Sequence, residues 1–183
     1  GIPGYGWETK IVDENGTTVT QGQVGELCVK GPGIMTCYYR DEKATKEVLK
    51  DGWLFTGDMA EQDDDGFIYL VDRKKDVIIS GGENIYPVQI EDFLRAHPAI
   101  KDAAVIGLPD KRLGEITLAV IETKENFICT EDDLQEFCKK LPRYKRPKKM
   151  IFADIPRNPT GKIYCGESLV ASQIEADTLG IRA

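Results

Sequence analysis

Alternating apolar and polar positions indicate β-structure in the first third of the chain. In GELCVKG (25–31), Leu27 and Val29 alternate with polar neighbours, which predicts a half-buried strand with these two side chains on its apolar face. The stretch DDDGFIYLVDR (63–73) places a turn at Gly66 before a second strand. Between them, RDEKATKEVLKDG (40–52) predicts a short helix closed by Gly52.

The pattern changes after Asp72. DVIIS (76–80) predicts a short buried strand, and GGENIYP (81–87) predicts a loop. Pro87 then opens a helix with apolar residues on one face. The residues of that face are Ile90, Phe93 and Leu94.

The second half alternates between strand and helix signals. DAAVIGLPD (102–110) and EITLAVIET (115–123) predict two strands, joined by a hairpin loop that contains Asp110 and Gly114. Thr130 and Asp133 form a capping signal for a helix over 131–141. KKMIFADI (148–155) predicts a further strand, and ESLVASQIEADTL (167–179) a helix or a loosely held tail.

A run of charges separates two apolar segments in VDRKKDV (71–77). Asp72 to Lys75 fit either an exposed turn between strands or a hinge between two units. Periodicity leaves both interpretations open.

Composition narrows the class of protein. A net charge of −7 and a pI near 4.9 argue against a nucleic-acid binder. No apolar run approaches the roughly 20 residues that span a bilayer. The first residues carry no secretory leader and no initiator Met, which fits an excised piece of a longer protein. The five cysteines are scattered and form no CxxC, so we expect reduced thiols and a cytoplasmic protein.

The single histidine limits the catalytic chemistry. His97 follows a helix pattern and precedes Pro98, which favours a role at the helix C-terminus. A zinc site or a Cys/His catalytic pair would depend on this one residue, so triad chemistry is not expected.

Three stretches carry candidate ligand contacts. In GWLFTGDMA (52–60), we expect Asp58 in a turn, where its carboxylate either accepts two vicinal ribose hydroxyls or forms an Asx-turn. Arg73 offers a forked donor set for phosphate or ribose oxygens. Gly81 and Gly82 either allow close approach of a ligand to the backbone or form a strand-to-helix turn.

Two further stretches are basic. LPRYKRPKKM (141–150) is a solvated basic run or a patch for a small polyanion. RNPTGKI (157–163) presents Lys162 after a Pro- and Gly-containing turn. The spacing is not that of a P-loop, because Ile163 stands where Ser or Thr is required.

Taken in order, these motifs resemble the adenylate-forming superfamily of acyl- and aryl-CoA synthetases. The resemblance extends from YYRDEKAT through GWLFTGD, DGFIYLVDRKKDVIISGGENIYPVQIE and GLPDKRLGE to RPKKMIFADIPRNPTGKI, and it covers nearly the whole chain to about Ile163. It implies ATP, CoA and a carboxylic acid as substrates, with Mg²⁺ held by residues outside this chain. The phosphate loop, the adenine segment and the acid pocket of the family are not among these residues.

The resemblance also implies roles for individual residues. Asp58 and Arg73 match positions that contact the ribose, and Lys75 falls at the hinge position. Lys162 matches the catalytic lysine that contacts ATP and bridges carboxylate and phosphate during adenylation. The matches to CoA-binding positions are weaker, and they are Ser80, Gly81, Gly82, Arg112, Lys140, Lys145 and Lys148.

The implied fold is α+β. Residues 1–73 are expected to be the last subdomain of a large N-terminal domain, a small antiparallel β-barrel-like unit. Residues 74–183 are expected to be a mobile α+β C-terminal lid with a small central sheet. The expected activity is an acid–CoA ligase reaction, with the chain alone inactive. The alternatives are an adenylation domain that loads a carrier protein and a non-enzymatic module that binds a nucleotide or a partner. The acid and the oligomeric state stay open.

Overall fold

The chain forms two compact units that divide between Lys75 and Asp76. This computed structural model describes residues 1–125, 127, 129–155 and 157–159. The expected α+β class is confirmed, since strands dominate and form two separate sheets accompanied by three short helices in the described ranges.

The first unit contains one antiparallel sheet. Its strands run in the order β1-β2-β4-β3, and β5 also pairs with β4. The strands are β1 (Glu8–Val12), β2 (Gly25–Lys30), β3 (Leu49–Lys50), β4 (Trp53–Gln62) and β5 (Ile68–Arg73). The strands predicted over 25–31 and 67–73 are therefore confirmed.

The predicted helix over 40–52 is shorter than expected. Helix α1 spans Glu42–Val48, and the Asp41 side chain caps it by accepting the Ala44 N–H at 2.9 Å. Leu49 is already extended and belongs to β3, so Gly52 lies in the turn before β4 and does not close the helix.

The buried face of β2 is opposite to the predicted one. Cys28 is fully buried and Glu26 is only 8% exposed, whereas Leu27 and Val29 are half-buried. The alternation identified the strand correctly, but it assigned Glu26 to the solvent side because a carboxylate seldom faces a core.

Among its described residues, the second unit contains a mixed sheet and two α-helices. Strand β9 pairs with β8 along most of its length, with β10 in parallel and with β6 at Gly114, and β6 pairs with β7. The elements are β6 (Ile78–Ser80), β7 (Glu83–Ile85), α2 (Pro87–Arg95), β8 (Ile100–Asp110), β9 (Gly114–Thr123), α3 (Glu131–Cys138) and β10 (Lys149–Phe152).

Two sequence predictions need correction here. The stretch 81–87 is not a loop, because Glu83–Ile85 form β7 and pair with β6. Asp110 and Gly114 are paired strand ends, so the hairpin turn comprises only residues 111–113. The capping box of Thr130 and Asp133 is confirmed at the start of α3.

Both faces of the β8–β9 hairpin are buried. Ala103, Val105 and Ile121 join Leu94 of α2 and Leu134 of α3 in one cluster. Residues on the alternate positions form a second cluster on the other face: Ala104, Ile106, Leu108, Leu118, Val120 and Ile155. Burial on both faces explains the nearly continuous apolar runs of these two strands. In the described part of the chain, no helix is long and apolar enough to cross a membrane.

Candidate functional site

Asp58 and Arg73 form an ion pair at the end of the first sheet. They lie opposite each other in the β4–β5 ladder, and the Arg73 Nε–H donates to Asp58 Oδ1 at 2.9 Å. The Asp58 side chain is 28% exposed and that of Arg73 is 60% exposed. The sheet therefore joins two residues that were singled out separately in sequence. The pair offers carboxylate acceptors beside guanidinium donors, a combination suited to a polyhydroxylated anion.

Asp58 lies in a strand and not in the expected turn. Strand β4 is bulged at this point, since Glu26 pairs with Met59 and Cys28 with Phe55, which leaves residues 56–58 opposite Leu27 alone. Thr56 Oγ1 donates to the Leu27 carbonyl at 2.8 Å and accepts the Asp58 N–H at 3.1 Å. Gly57 has a φ of +73°, a conformation that favours glycine. The Thr-Gly-Asp sequence thus forms a bulge in the middle of β4 that presents Asp58 opposite Arg73, the last residue of β5.

Glu26 is a residue that the sequence interpretation missed. Its Oε1 accepts the Gly57 N–H at 3.2 Å, and its Oε2 accepts from Lys74 Nζ at 2.8 Å. The Glu26 side chain is only 10% exposed, so this carboxylate is held beneath the bulge. No local pattern in the sequence indicates this role, because Gly57 and Lys74 are 31 and 48 residues away.

Burial of this strand face, together with Glu26, also changes the pKa of the Cys28 thiol. Burial, and then the negative charge of Glu26, raise the pKa of Cys28 to about 11. Cys28 is therefore a neutral thiol at physiological pH, and it acts as an apolar core residue.

Ser80, Gly81 and Gly82 lie in a tight hairpin between β6 and β7. Ser80 pairs with Glu83, and both glycines have positive φ, +62° and +87°. The two glycines form a two-residue turn between strands β6 and β7. The alternative prediction of a strand-to-helix turn is therefore wrong. This turn contacts the next hairpin, because the Gly81 N–H donates to the Leu113 carbonyl at 2.8 Å.

Arg112 belongs to that second turn. Asp110 Oδ1 accepts the N–H groups of Arg112 and Leu113 at 2.9 and 2.8 Å. These bonds, that of Leu113 first, hold the pKa of Asp110 below its usual value. The two adjacent turns therefore place Ser80, Gly81 and Arg112 on one edge of the second sheet.

The lysines of the basic stretch have different surroundings. Lys145 Nζ donates to Gln89 Oε1 of α2 at 2.7 Å, and its 3-10 turn, Arg143–Lys145, packs against β7. Lys148 is exposed and its N–H donates to the Thr117 carbonyl. Lys140 lies 4.8 Å above the Phe137 ring. Lys145 is thus close to the hairpin that carries Gly81, whereas the described contacts of Lys140 are with α3.

His97 has a structural environment. Its Nδ1 accepts the Ala99 N–H at 3.3 Å, and its ring makes an edge contact with Phe137 at 4.9 Å between centroids. It follows the end of α2 at Arg95, as the sequence predicted. Among residues 1–125, 127, 129–155 and 157–159, no group of three or more His, Cys, Asp or Glu side chains could hold a metal ion.

Two predicted residues lie at the edges of the described region. Lys75 is exposed in a 3-10 turn, Lys74–Asp76, directly before the division between the two units. Lys162 lies outside the described residues. At the start of its motif, the Arg157 guanidinium contacts the Asp102 carboxylate, which also accepts from Arg95.

Sequence comparison places these features in a family. The AMP-binding enzyme family matches residues 1–39, and the AMP-binding enzyme C-terminal domain matches residues 89–162. Together these matches cover more than half of the chain.

Named relatives activate different acids. A long-chain-fatty-acid–CoA ligase of Escherichia coli is 43% identical over 89% of this chain and 29% of its own length. A feruloyl-CoA synthase of Amycolatopsis is 41% identical over 91% of this chain and 34% of its own length. The chain thus spans about three tenths of the length of the curated relatives it matches.

A solved structure has the same fold. O-succinylbenzoate coenzyme A synthetase from Bacillus subtilis, in complex with AMP, superposes with a TM-score of 0.84 and 36% identity. The superposition covers 96% of this chain and 35% of that one. The same enzyme has been solved with ATP and a magnesium ion.

Proposed function

Because the chain belongs to the AMP-binding enzyme family, we propose that it is the C-terminal part of an ATP-dependent carboxylic acid–CoA ligase. The observation that carries this proposal is the Asp58–Arg73 ion pair, whose Nε–Oδ1 distance is 2.9 Å, at the β4 bulge. A carboxylate there accepts hydrogen bonds from the two ribose hydroxyls of ATP. The guanidinium donates hydrogen bonds to ribose and phosphate oxygens.

The reaction has two steps. In the first, an oxygen of the acid carboxylate attacks the α-phosphorus of ATP, pyrophosphate leaves, and an acyl-adenylate forms. In the second, the CoA thiolate attacks the acyl carbon, AMP leaves, and a thioester forms. Mg²⁺ accompanies ATP in this chemistry, and we expect its protein ligands outside this chain.

Lys162 is the proposed catalytic residue of the first step. It follows the sequence Asn158-Pro159-Thr160-Gly161, whose residue types favour turns. The first step brings the anionic acid to an anionic phosphate, so a lysine ammonium between them stabilises the transition state. The second step brings no such pair of anions together and does not need it.

The second sheet supplies the proposed CoA contacts. The Gly81-Gly82 turn exposes backbone without side chains, so a thin pantetheine arm can pass along it. Ser80 and Arg112 adjoin this turn, and Lys145 lies near it. Lys148 and Lys140 complete a set of cations for the CoA phosphates, and Lys140 would have to leave the Phe137 ring to reach them.

CoA is favoured over a carrier protein as the acceptor, because the relatives named above are CoA ligases and a CoA synthetase. We assign the choice between a fatty and an aromatic acid to residues outside this chain, since relatives of both kinds match it. ATP and CoA as substrates, together with the free cysteines at 28, 37, 129 and 138, support a cytoplasmic location.

We further propose that residues 1–73 end the large ATP-binding domain, that residues 74–183 form the lid, and that Lys75 is the hinge. The division of the chain after Lys75 supports this assignment. Rotation at Lys75 would exchange Lys162 for the Gly81-Gly82 turn at the reaction centre, one for each half-reaction. The chain alone would then be inactive, because it lacks the acid pocket and the phosphate loop.

Lys162→Ala in the complete ligase tests this function. We expect adenylate formation to fall by roughly 10²- to 10³-fold, the effect of removing one transition-state charge contact. Thioester formation from a supplied acyl-adenylate should stay within about twofold of wild type. Pre-steady-state measurement of each half-reaction gives both values.

Lys149→Ala is a matched control, because it removes an exposed lysine at the start of β10 and should change neither step. Equal losses in both half-reactions of Lys162→Ala would contradict the proposed role and indicate a structural one.

A further inference from the structure

We propose that Glu26 is a positioning residue that fixes the Asp58–Arg73 pair for the ribose of the nucleotide. The proposal rests on the proposed function of that pair. Glu26 is one of two buried polar or charged residues among those the structure describes, and the other is Thr117. Its carboxylate contacts Gly57, the residue before Asp58, and Lys74, the residue after Arg73.

Each carboxylate oxygen of Glu26 contacts a residue adjacent to one member of the Asp58–Arg73 pair. Oε1 accepts the Gly57 N–H at 3.2 Å, immediately before Asp58. Oε2 accepts from Lys74 Nζ at 2.8 Å, immediately after Arg73. One carboxylate therefore connects the β4 bulge to the end of β5, 31 and 48 residues away in sequence.

The bulge needs such a contact. Residues 56–58 have no ladder partners in β2, and Gly57 adopts a positive φ. Thr56 fixes one side of the bulge through the Leu27 carbonyl, and Glu26 fixes the Gly57 N–H. Without Glu26, the β2 side of the bulge is held by Thr56, and Asp58 keeps its pairing with Arg73 on the β5 side.

A purely structural role would not favour a carboxylate here. Burying a charge costs desolvation energy, and apolar residues that replace a buried ion pair often leave a protein as stable or more stable. Cys28, two positions along the same strand face, shows that this face accepts an apolar side chain. The charge on Glu26 is explained by the placement of Asp58 and Arg73.

The test is equilibrium binding of AMP, 2′-deoxy-AMP and 3′-deoxy-AMP to the complete protein. Wild type should prefer AMP, because Asp58 accepts both ribose hydroxyls. Glu26→Gln keeps an acceptor for Gly57 but loses the ion pair with Lys74. We expect it to lower AMP affinity roughly tenfold and to bring the AMP to deoxy-AMP affinity ratios close to one.

Lys74→Gln changes the other partner of the same contact, whose side chain is 52% exposed, so no core packing is lost. Thermal unfolding of this variant shows whether the Glu26 carboxylate without its cation lowers stability. Lys74→Gln should also lower the ratio of AMP to deoxy-AMP affinity. The double variant Glu26→Gln/Lys74→Gln should lose no more AMP affinity than Glu26→Gln alone, because both substitutions remove the same interaction. Glu8→Gln is the control, an exposed β1 carboxylate beside Lys30 that should leave affinity and ratio unchanged.

Unchanged ribose discrimination in Glu26→Gln and Lys74→Gln would overturn the proposal, and so would lost thermal stability with an intact ratio. AMP binding with discrimination, but no acid-dependent ATP turnover by wild type, would refute the ligase function and leave the Glu26 test valid. A wild type that binds no adenine nucleotide would refute both.

Discussion

At the scale of single residues, the candidate ribose site depends on a carboxylate and a guanidinium that adjacent strands bring together. Asp58 and Arg73 were found from their motifs, because Thr-Gly-Asp and Asp-Arg are local patterns in the sequence. Glu26 was not, since its partners Gly57 and Lys74 are distant in sequence and no local pattern connects them. Alternation also placed Glu26 on the wrong face, because the rule that charges avoid cores fails for a paired charge.

Asp58→Asn tests the ribose contact with little change in shape. The amide loses the charge that strengthens its hydrogen bonds, a loss of about 1.5–3 kcal/mol for a bond to a charged group. We expect the KM of the complete ligase for ATP to rise roughly 10- to 100-fold, with the KM for CoA unchanged. Steady-state kinetics with ATP and CoA varied in turn give both constants.

Asp64→Asn is the matched control for this substitution, as it makes the same change in an exposed turn residue after β4. A KM for ATP that stays at the wild-type value in Asp58→Asn would remove Asp58 from the site.

At the scale of elements, the sequence predicted the long strands and both described helices of the second unit, and the short strand β6, but not β7. Strand β7 has three residues, too few for alternation to show, and two glycines precede it, so the stretch resembled a loop. The parallel pairing of β10 with β9 could not be predicted from the sequence either, because the direction of pairing depends on the path of the chain between the two strands. Asp58 was expected in a turn because Thr-Gly-Asp has turn composition, which a bulge shares.

The Gly81-Gly82 hairpin gives a prediction at this scale. Gly81→Val places a β-branched residue at a φ of +62°, and its Cβ would lie 3.3 Å from Leu113 Cδ2. We expect thioester formation to slow roughly tenfold or more, since a left-handed conformation costs about 1–2 kcal/mol and the side chain obstructs the turn. Adenylate formation should be unaffected, as single-turnover measurements of each step would show.

Gly22→Val serves as the comparison, because it introduces similar strain at a φ of +77° with no atom within 4 Å of the new Cβ. If both variants slow the thioester step alike, general destabilisation explains the effect and the hairpin has no place in the CoA site.

At the scale of the whole molecule, we propose a hinge at Lys75, where the chain divides into two compact units. The charges in VDRKKDV left both a turn and a hinge open, and the contacts within each unit locate the division to one peptide. Lys75→Pro would fix φ near −65° at this point and restrict rotation. We expect the thioester step to slow more than adenylation, by roughly tenfold or more, since the rotation precedes that step.

Lys75→Ala distinguishes the effect of losing the Lys75 charge from the effect of restricting the backbone. It removes the ammonium group and leaves backbone rotation unrestricted. Its two rates should match wild type. If Lys75→Pro slows both steps equally, or neither, Lys75 is not the hinge.

We propose that this chain supplies one part of an acid-activating site that is completed by residues outside it. The decisive experiment is acid-dependent exchange of labelled pyrophosphate into ATP, measured on these 183 residues alone and on the complete protein with a panel of fatty and aromatic acids. We predict exchange above background with at least one acid for the complete protein and none for the chain alone. Exchange by the chain alone would contradict the account, as would a complete protein that exchanges pyrophosphate with none of the acids.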